Sequence, residues 1–138
     1  MIIRPFEIED EAAVIELWRR CDLVRPQNNP AKDIQRKLKV QRELFLLGVL
    51  EGRVIASVMA SYDGHRAWIN YFAVDPAHQR KGFGRQLMDE VERLVRERGC
   101  AKINLQVRTS NAAVIEFYRH IGFAVDDVVS MGKRLEIE

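Results

Sequence analysis

The sequence predicts a single α/β (α+β) domain, residues 1–138, built on one mixed and mostly antiparallel central sheet with about four helices. Three observations carry this. Apolar positions switch between a strand-like and a helix-like period all along the chain, with no repeat, linker or low-complexity stretch between them. Three short apolar runs, residues 44–50, 53–62 and 68–74, are separated by the tight-turn pairs Glu51-Gly52 and Asp63-Gly64, which makes them an antiparallel meander. The turn Gln79-Arg80-Lys81-Gly82-Phe83-Gly84 then leads into a long amphipathic helix and a further alternating run at 102–108, a βαβ unit whose outer strands are parallel. A chain of 138 residues supports one substantial core and is too short for two.

The elements follow in order. Ile2, Ile3 and Phe6 open a first strand, and behind the acidic Glu9-Asp10-Glu11 the residues Ala13, Val14, Leu17 and Trp18 recur at helical spacing up to Cys21-Asp22. Arg25-Pro26-Gln27-Asn28-Asn29-Pro30 is a loop, and Pro30 opens a second helix through Ile34 and Leu38 whose mostly polar surface suits a cover over an opening. Asp75-Pro76 stops the last meander strand. From Phe83 onward Leu87, Val91, Leu94 and Val95 form one stripe, Arg85, Asp89, Glu92, Arg93 and Arg96 the other side, and Gly99 ends the helix. Ile103, Leu105 and Val107 alternate with Asn104, Gln106 and Arg108 as a strand does. Asn111 starts a last helix with Val114, Ile115, Phe117 and Tyr118 on its apolar face, and Gly122 stops it. Residues 123–129 and 131–137 read as two closing strands, whose exposed edges offer a route to a homodimer.

Charge and composition narrow the function classes. Lys and Arg number 22 against 20 Asp and Glu, interspersed, so no nucleic-acid arm or polybasic membrane patch is present and neither nucleic acid nor membrane is an expected partner. The N-terminal Met1-Ile2-Ile3-Arg4 lacks the pattern of a signal peptide, and the expected location is the cytoplasm. Cys21 and Cys100 match no metal-ligand spacing and read as free, buried thiols; no metal is expected, and a nucleophilic Cys21 stays open as an alternative, although no His stands near it in sequence.

The glycine turn is the most informative stretch. Gly82 and Gly84 let the backbone turn tightly and leave amides uncovered at the start of a helix, where orphan donors and a partial positive charge suit a pyrophosphate. Arg80, Lys81 and Arg85 add cations to the same turn. An ordinary glycine turn with a solvated basic rim has the same composition, and a nucleotide-binding protein also places glycines between strand and helix. The chain lacks G-x-x-x-x-G-K-[ST] and the third glycine of G-x-G-x-x-G.

Taken together, Ala73-Val74-Asp75-Pro76, Gln79-x-x-Gly82-x-Gly84, Asn111-Ala112-Ala113 and Tyr118-x-x-x-Gly122-Phe123 resemble the GNAT acetyltransferase superfamily across essentially the whole chain. Arg20-Cys21-Asp22-Leu23 and Tyr62-Asp63-Gly64-His65-Arg66 are similar to its small bacterial, YpeA-like members. The resemblance implies the GNAT fold, with the strand before the glycine turn splayed from its parallel neighbour. It implies an N-acetyltransferase that takes acetyl-CoA as co-substrate, without a metal, and moves the acetyl group directly to a primary amine of a small molecule or peptide. Gln79, Arg80, Lys81, Gly82, Phe83, Gly84 and Arg85 match the pyrophosphate turn. Phe72, Ala73 and Val74 match the strand segment whose main chain pairs with the pantetheine as an added strand would, and the Val74 amide is placed to polarise the carbonyl. Asn111 matches a residue near the pantetheine arm and also suits a helix cap; Tyr118 matches the residue beside the sulfur, a general acid for the leaving thiolate, and also suits a core aromatic.

The general base is the open position. Members that acetylate protein N-termini carry E-V-R-x-S-N, whereas this chain reads Gln106-Val107-Arg108-Thr109-Ser110-Asn111, and an amide does not take up the proton a carboxylate would. His65 and Asp63 are the candidates, with Asp22 behind them, although a turn beside Gly64 explains the first two equally. The acceptor side is assigned to residues 22–38 and 62–71, with Asp22, Arg25, Asp63, Tyr71 and Gln106 as candidate contacts. Asp22 and Asp63 suit a cationic acceptor, Arg25, Lys32 and Arg66 an anionic one, and Trp18, Trp68 and Tyr71 suit either core or pocket. The rival class is a non-catalytic acyl-CoA-binding regulatory module, which keeps the glycine turn and has no need of Tyr118.

Overall fold

The computed structural model describes residues 1–136, and the chain divides into two compact units, Met1–Leu105 and Gln106–Glu138. The first unit carries a five-stranded sheet in sequential order: β1 (Ile2–Pro5), β2 (Phe45–Leu50), β3 (Arg53–Tyr62), β4 (Ala67–Val74) and β5 (Ile103–Leu105). Neighbours from β1 to β4 run antiparallel, and β4 to β5 is parallel. The predicted meander and βαβ unit are therefore both present. Gly52 supplies a φ of 77° at the β2–β3 turn, the conformation for which a tight hairpin selects glycine.

Three helices cover this sheet: α1 (Glu11–Arg20), α2 (Pro30–Lys37) and α3 (Phe83–Arg96). Asn29 caps α2 by accepting the Lys32 amide at 3.1 Å, and Pro30 fills the first helical position, where no amide is needed. Val14, Leu17 and Trp18 of α1 and Ile34 of α2 pack with Phe45, Leu47, Met59 and Ala73 on one face of the sheet. The alternate residues, among them Leu46 and Val58, point the other way, and Leu87, Met88, Val91 and Val95 of α3 are buried on that second face. Trp18, left between core and pocket by its sequence, belongs to the core: it is fully buried, 6.3 Å from the Phe45 ring.

β5 is shorter than the alternation at 102–108 predicts. It pairs only with Ala67, Trp68 and Ile69, so the sheet loses this neighbour well before β4 ends at Val74.

The second unit holds α4 (Ala112–His120), ended by Gly122 at φ 103°. The strands predicted at 123–129 and 131–137 are absent among the described residues, Ile137 lying outside them. Val125, Val128, Val129, Met131 and Leu135 are exposed instead. Apolar alternation records a capacity for strand; a strand also needs a neighbour to complete its hydrogen bonds. The homodimer expected from those strands loses its premise.

Candidate active site

The two ends of β4 are built differently, and the Val74 end gathers the residues singled out by sequence. The Asp75 amide donates to the Ile55 carbonyl at 2.7 Å, which alternates the preceding residue outward: the amide and carbonyl of Val74 face away from β3, on the side where β5 has already stopped. The Val74 carbonyl accepts from the Cys21 thiol at 3.3 Å and from Nε2 of Gln79 at 3.0 Å. Those two contacts tie the end of α1 and the start of the glycine turn to the end of the strand. Burial pushes the Cys21 thiol above its ordinary range, with Asp75 adding to the shift, so this cysteine is a hydrogen-bonded wedge and not an activated nucleophile.

Just upstream, β4 bulges. Ser57 pairs with Ala73 and Met59 with Asn70, so Tyr71 and Phe72 stand together opposite Val58. Tyr71 takes a left-handed φ of 50°, unusual for a residue with a side chain. It is held at three places: its ring stacks on Trp18 with centroids 3.9 Å apart, its hydroxyl donates to Oδ2 of Asp33 at 2.6 Å, and its carbonyl accepts from Oγ of Ser57 at 2.8 Å. Asp33 and Ser57 are contacts that the sequence reading missed. A serine in the middle of the apolar run Val54-Ile55-Ala56-Ser57-Val58-Met59 was the available signal for one of them.

Beyond Val74 the chain enters a 3-10 turn at Pro76–His78. Asp75 caps it, accepting the Ala77 amide at 3.0 Å and the Arg20 guanidinium at 2.9 Å. Burial pushes the Asp75 carboxyl up, but the Ala77 amide and Arg20 outweigh it and hold it below its usual value, ionised. Gly82 is the N-cap of α3 at φ 85°, its side-chain position is open space, and no side chain caps the helix. Gly84 lies buried in the first turn, and Arg80, Lys81 and Arg85 are exposed around it. The first amides of α3 thus point outward in a basic setting, an arrangement that holds anions.

The opposite end of β4 carries the turn with Asp63 and His65. Oδ1 of Asp63 accepts both the His65 and Arg66 amides at 2.7 Å, and these bonds hold the carboxyl below its usual range, a poor proton acceptor. His65 is exposed, with Arg66 against its ring and its carbonyl. At about 3.3 Å per residue, β4 places this turn on the order of 20 Å from Val74. Distance and hydrogen bonding together remove Asp63 and His65 as a base acting at the Val74 end. Asp22 lies beyond the end of α1 in a left-handed conformation, ion-paired to Arg25 at 3.2 Å, and both belong to a surface loop. Trp68 remains partly exposed on β4.

Within the second unit, Asn111 accepts the Val114 amide at 3.3 Å, the capping role open from sequence. Gln106 donates to the Ser130 hydroxyl. Tyr118 is buried, with Phe117 and Phe123 edge-on to its ring at 5.3 and 5.4 Å. Burial pushes its phenol far above the ordinary tyrosine value, so the hydroxyl stays protonated across the working range of an enzyme. Among the described residues no group of three or more His, Cys, Asp or Glu is arranged to hold a metal, and no helix is long and apolar enough to cross a membrane.

An open strand end followed by a glycine turn and a helix N-terminus is the arrangement that the family resemblance implies, and comparison with known proteins places the chain among acetyltransferases. The model of the acetyltransferase (GNAT) family matches residues 11–123. An acetyltransferase of Yersinia pestis is 42% identical over 138 residues, covering 100% of this chain and 98% of its own. Among solved structures, Ard1 of Thermoplasma volcanium has a TM-score of 0.74 at 29% identity, covering 91% of this chain and 83% of that one. The ribosomal-protein-S18-alanine N-acetyltransferase of Escherichia coli has a TM-score of 0.73 at 28% identity, covering 88% and 76%. The chain belongs to the GNAT acetyltransferase family, and it is an N-acetyltransferase with the GNAT fold.

Proposed function

We propose that this enzyme transfers the acetyl group of acetyl-CoA directly to a primary amine of a small molecule or peptide. The observation that carries the reading is the outward-facing Val74 amide beyond the end of β5, in line with the glycine turn. The outward main chain of Val74 offers bonds to the pantetheine, with Phe72 and Ala73 carried in that segment by resemblance alone, and Gln79 to Arg85 offer helix amides and cations to the pyrophosphate. The Gly82 side-chain position is open, so a phosphate can approach the backbone there. Asn111 caps α4 and is carried as the further cofactor contact by resemblance alone.

Bound acetyl-CoA supplies an activated acyl group. The Val74 amide would polarise the acyl oxygen, and Tyr118, assigned beside the sulfur by the family resemblance alone, would give its proton to the departing thiolate. With the turn at residues 63–66 remote and Gln106 an amide, the proton of the incoming amine passes to water. The E. coli relative acts on the alanine of ribosomal protein S18. Gln106 stands where N-terminal acetyltransferases of that sequence type carry glutamate, which favours an acceptor other than a ribosomal N-terminus. The chain is carried as one catalytic domain over its whole length.

Thermal shift with acetyl-CoA, ATP and NAD tests the donor: acetyl-CoA is expected to raise Tm, and stabilisation by ATP alone would overturn the reading. An amine panel assayed by thiol release then tests Tyr118. In Tyr118→Phe, kcat is expected to fall about 100-fold or more with acetyl-CoA affinity unchanged, in the range typical of a lost general acid. Unchanged turnover would remove Tyr118 from the chemistry.

A further inference from the structure

Ser57 is fully buried in the apolar middle of β3, where a polar side chain stands only if its hydrogen bonds are met. They are met on both sides. Nε1 of the fully buried Trp18 donates to the Ser57 oxygen at 2.8 Å, and the Ser57 hydroxyl donates to the Tyr71 carbonyl at 2.8 Å. The Trp18 bond uses an acceptor lone pair and so directs the single hydroxyl proton toward Tyr71. That carbonyl belongs to the bulged residue at φ 50°. In a regular antiparallel strand it would sit within the backbone ladder; in the bulge it is turned to a side chain, and Ser57 is the partner that receives it. The bulge also shifts the register of everything after it, including the outward alternation of Val74.

We propose that Ser57 is a positioning residue for the donor substrate: with Trp18 behind it, its hydroxyl fixes the Tyr71 bulge and thereby aims the Phe72–Val74 main chain that binds the pantetheine. The inference rests on the acetyl-CoA reading above. Ser57→Ala removes the hydroxyl bond to the Tyr71 carbonyl and takes from the buried Trp18 ring N–H its acceptor. The bulge then loses its reason to hold a left-handed tyrosine, and the strand beyond it relaxes toward regular alternation. Trp18→Phe keeps the aromatic stack and the Ser57–Tyr71 bond but frees the hydroxyl to rotate, a smaller disturbance. Ser57→Thr keeps the hydroxyl and adds a methyl on a residue type suited to strands.

The test compares two ligands by calorimetry on the full chain. One is acetyl-CoA; the other is adenosine 3′-phosphate 5′-diphosphate, which carries the nucleotide and pyrophosphate but no pantetheine. Ser57→Ala is expected to weaken acetyl-CoA about tenfold while the nucleotide fragment binds within about twofold of wild type, with Trp18→Phe weaker by about threefold and Ser57→Thr near wild type; each fold-change converts to affinity by the usual relation. A lowered Tm with both affinities unchanged, or equal loss for both ligands, would show Ser57 to be structural only and overturn the inference. Should Ser57→Ala not fold, Trp18→Phe decides by the same ratio. Wild-type protein that binds neither ligand would overturn the donor reading itself, a distinct result from wild-type binding that Ser57→Ala retains.

Discussion

The two ends of β4 differ in pairing, and their chemistry differs with it. At the Ala67 end the strand is flanked by β3 and β5, and the turn before it satisfies its own amides through Asp63. At the Val74 end β5 is gone, a bulge has turned one carbonyl to Ser57, and the Val74 amide faces away from β3. A sheet with every backbone group paired internally has little to offer a ligand. The open end is where a linear, amide-bearing molecule can be received as an extra strand.

The largest break in this contrast comes from Val74→Pro. Proline removes the outward amide, but the ladder to β3 does not use that amide, and an unpaired strand edge tolerates proline. The fold is expected to persist, with turnover reduced about 100-fold, comparable to losing one donor to a developing oxyanion. Turnover within threefold of wild type would remove the Val74 amide from the mechanism.

Next in size is Gly82→Ala. A Cβ meets nothing within 4 Å at this position, so crowding is not the obstacle; the φ of 85° is. Holding an L-residue in this region costs on the order of 1 kcal/mol, and the relief is to move the turn. KM for acetyl-CoA is expected to rise about tenfold with kcat little changed, read from initial rates at varied donor. A lowered kcat at unchanged KM would mean that the turn acts after binding.

The paired end is predicted to be quiet. Asp63→Asn and His65→Gln are expected to leave kcat within about threefold, the former lowering Tm because it weakens a cap on two amides. A tenfold loss of kcat in His65→Gln would bring this turn into the reaction and erase the distinction between the two ends.

How much of this was legible in the sequence follows from how local each signal is. Glycine, proline and apolar period report local backbone, so the meander, Pro30 opening α2, and Gly82 leading into α3 were all readable. Pairing is not local. The β-branched Val125, Val128 and Val129 suit a strand by residue type as Val54, Ile55 and Val58 of β3 do, yet of the two segments only β3 has strand neighbours among the described residues. The site divides the same way. The glycine turn stood out by type and spacing and Tyr118 through the family resemblance, whereas Asp33 and Ser57 matter through Tyr71, which lies 38 and 14 residues away from them in sequence. His65 and Asp63 drew notice as titratable residues; what they lack is position, since the length of β4 separates them from Val74.

The smallest predicted effect is a pH dependence seated over the paired end. Nζ of Lys37, on α2, donates to the carbonyl of Ala60, the residue that pairs with Ile69 of β4. Burial pushes this lysine down to about 8 from 10.5, with Glu43 opposing the shift and Arg98 assisting it. Between those two values the unfolded chain holds a proton that the folded chain has released, so stability rises with pH through that window. Below it both states are protonated and the cost of the buried charge is constant. Lys37→Met removes the titration, so the difference in urea midpoint between wild type and variant should shift in favour of wild type on going from about pH 7 to about pH 10. Acetyl-CoA affinity should not follow, because Lys37 touches the end of the sheet that already has all its strands. An affinity that tracked the lysine would mean that the paired end transmits to the open one, and the rigid stretch of β4 between them would be the element to examine.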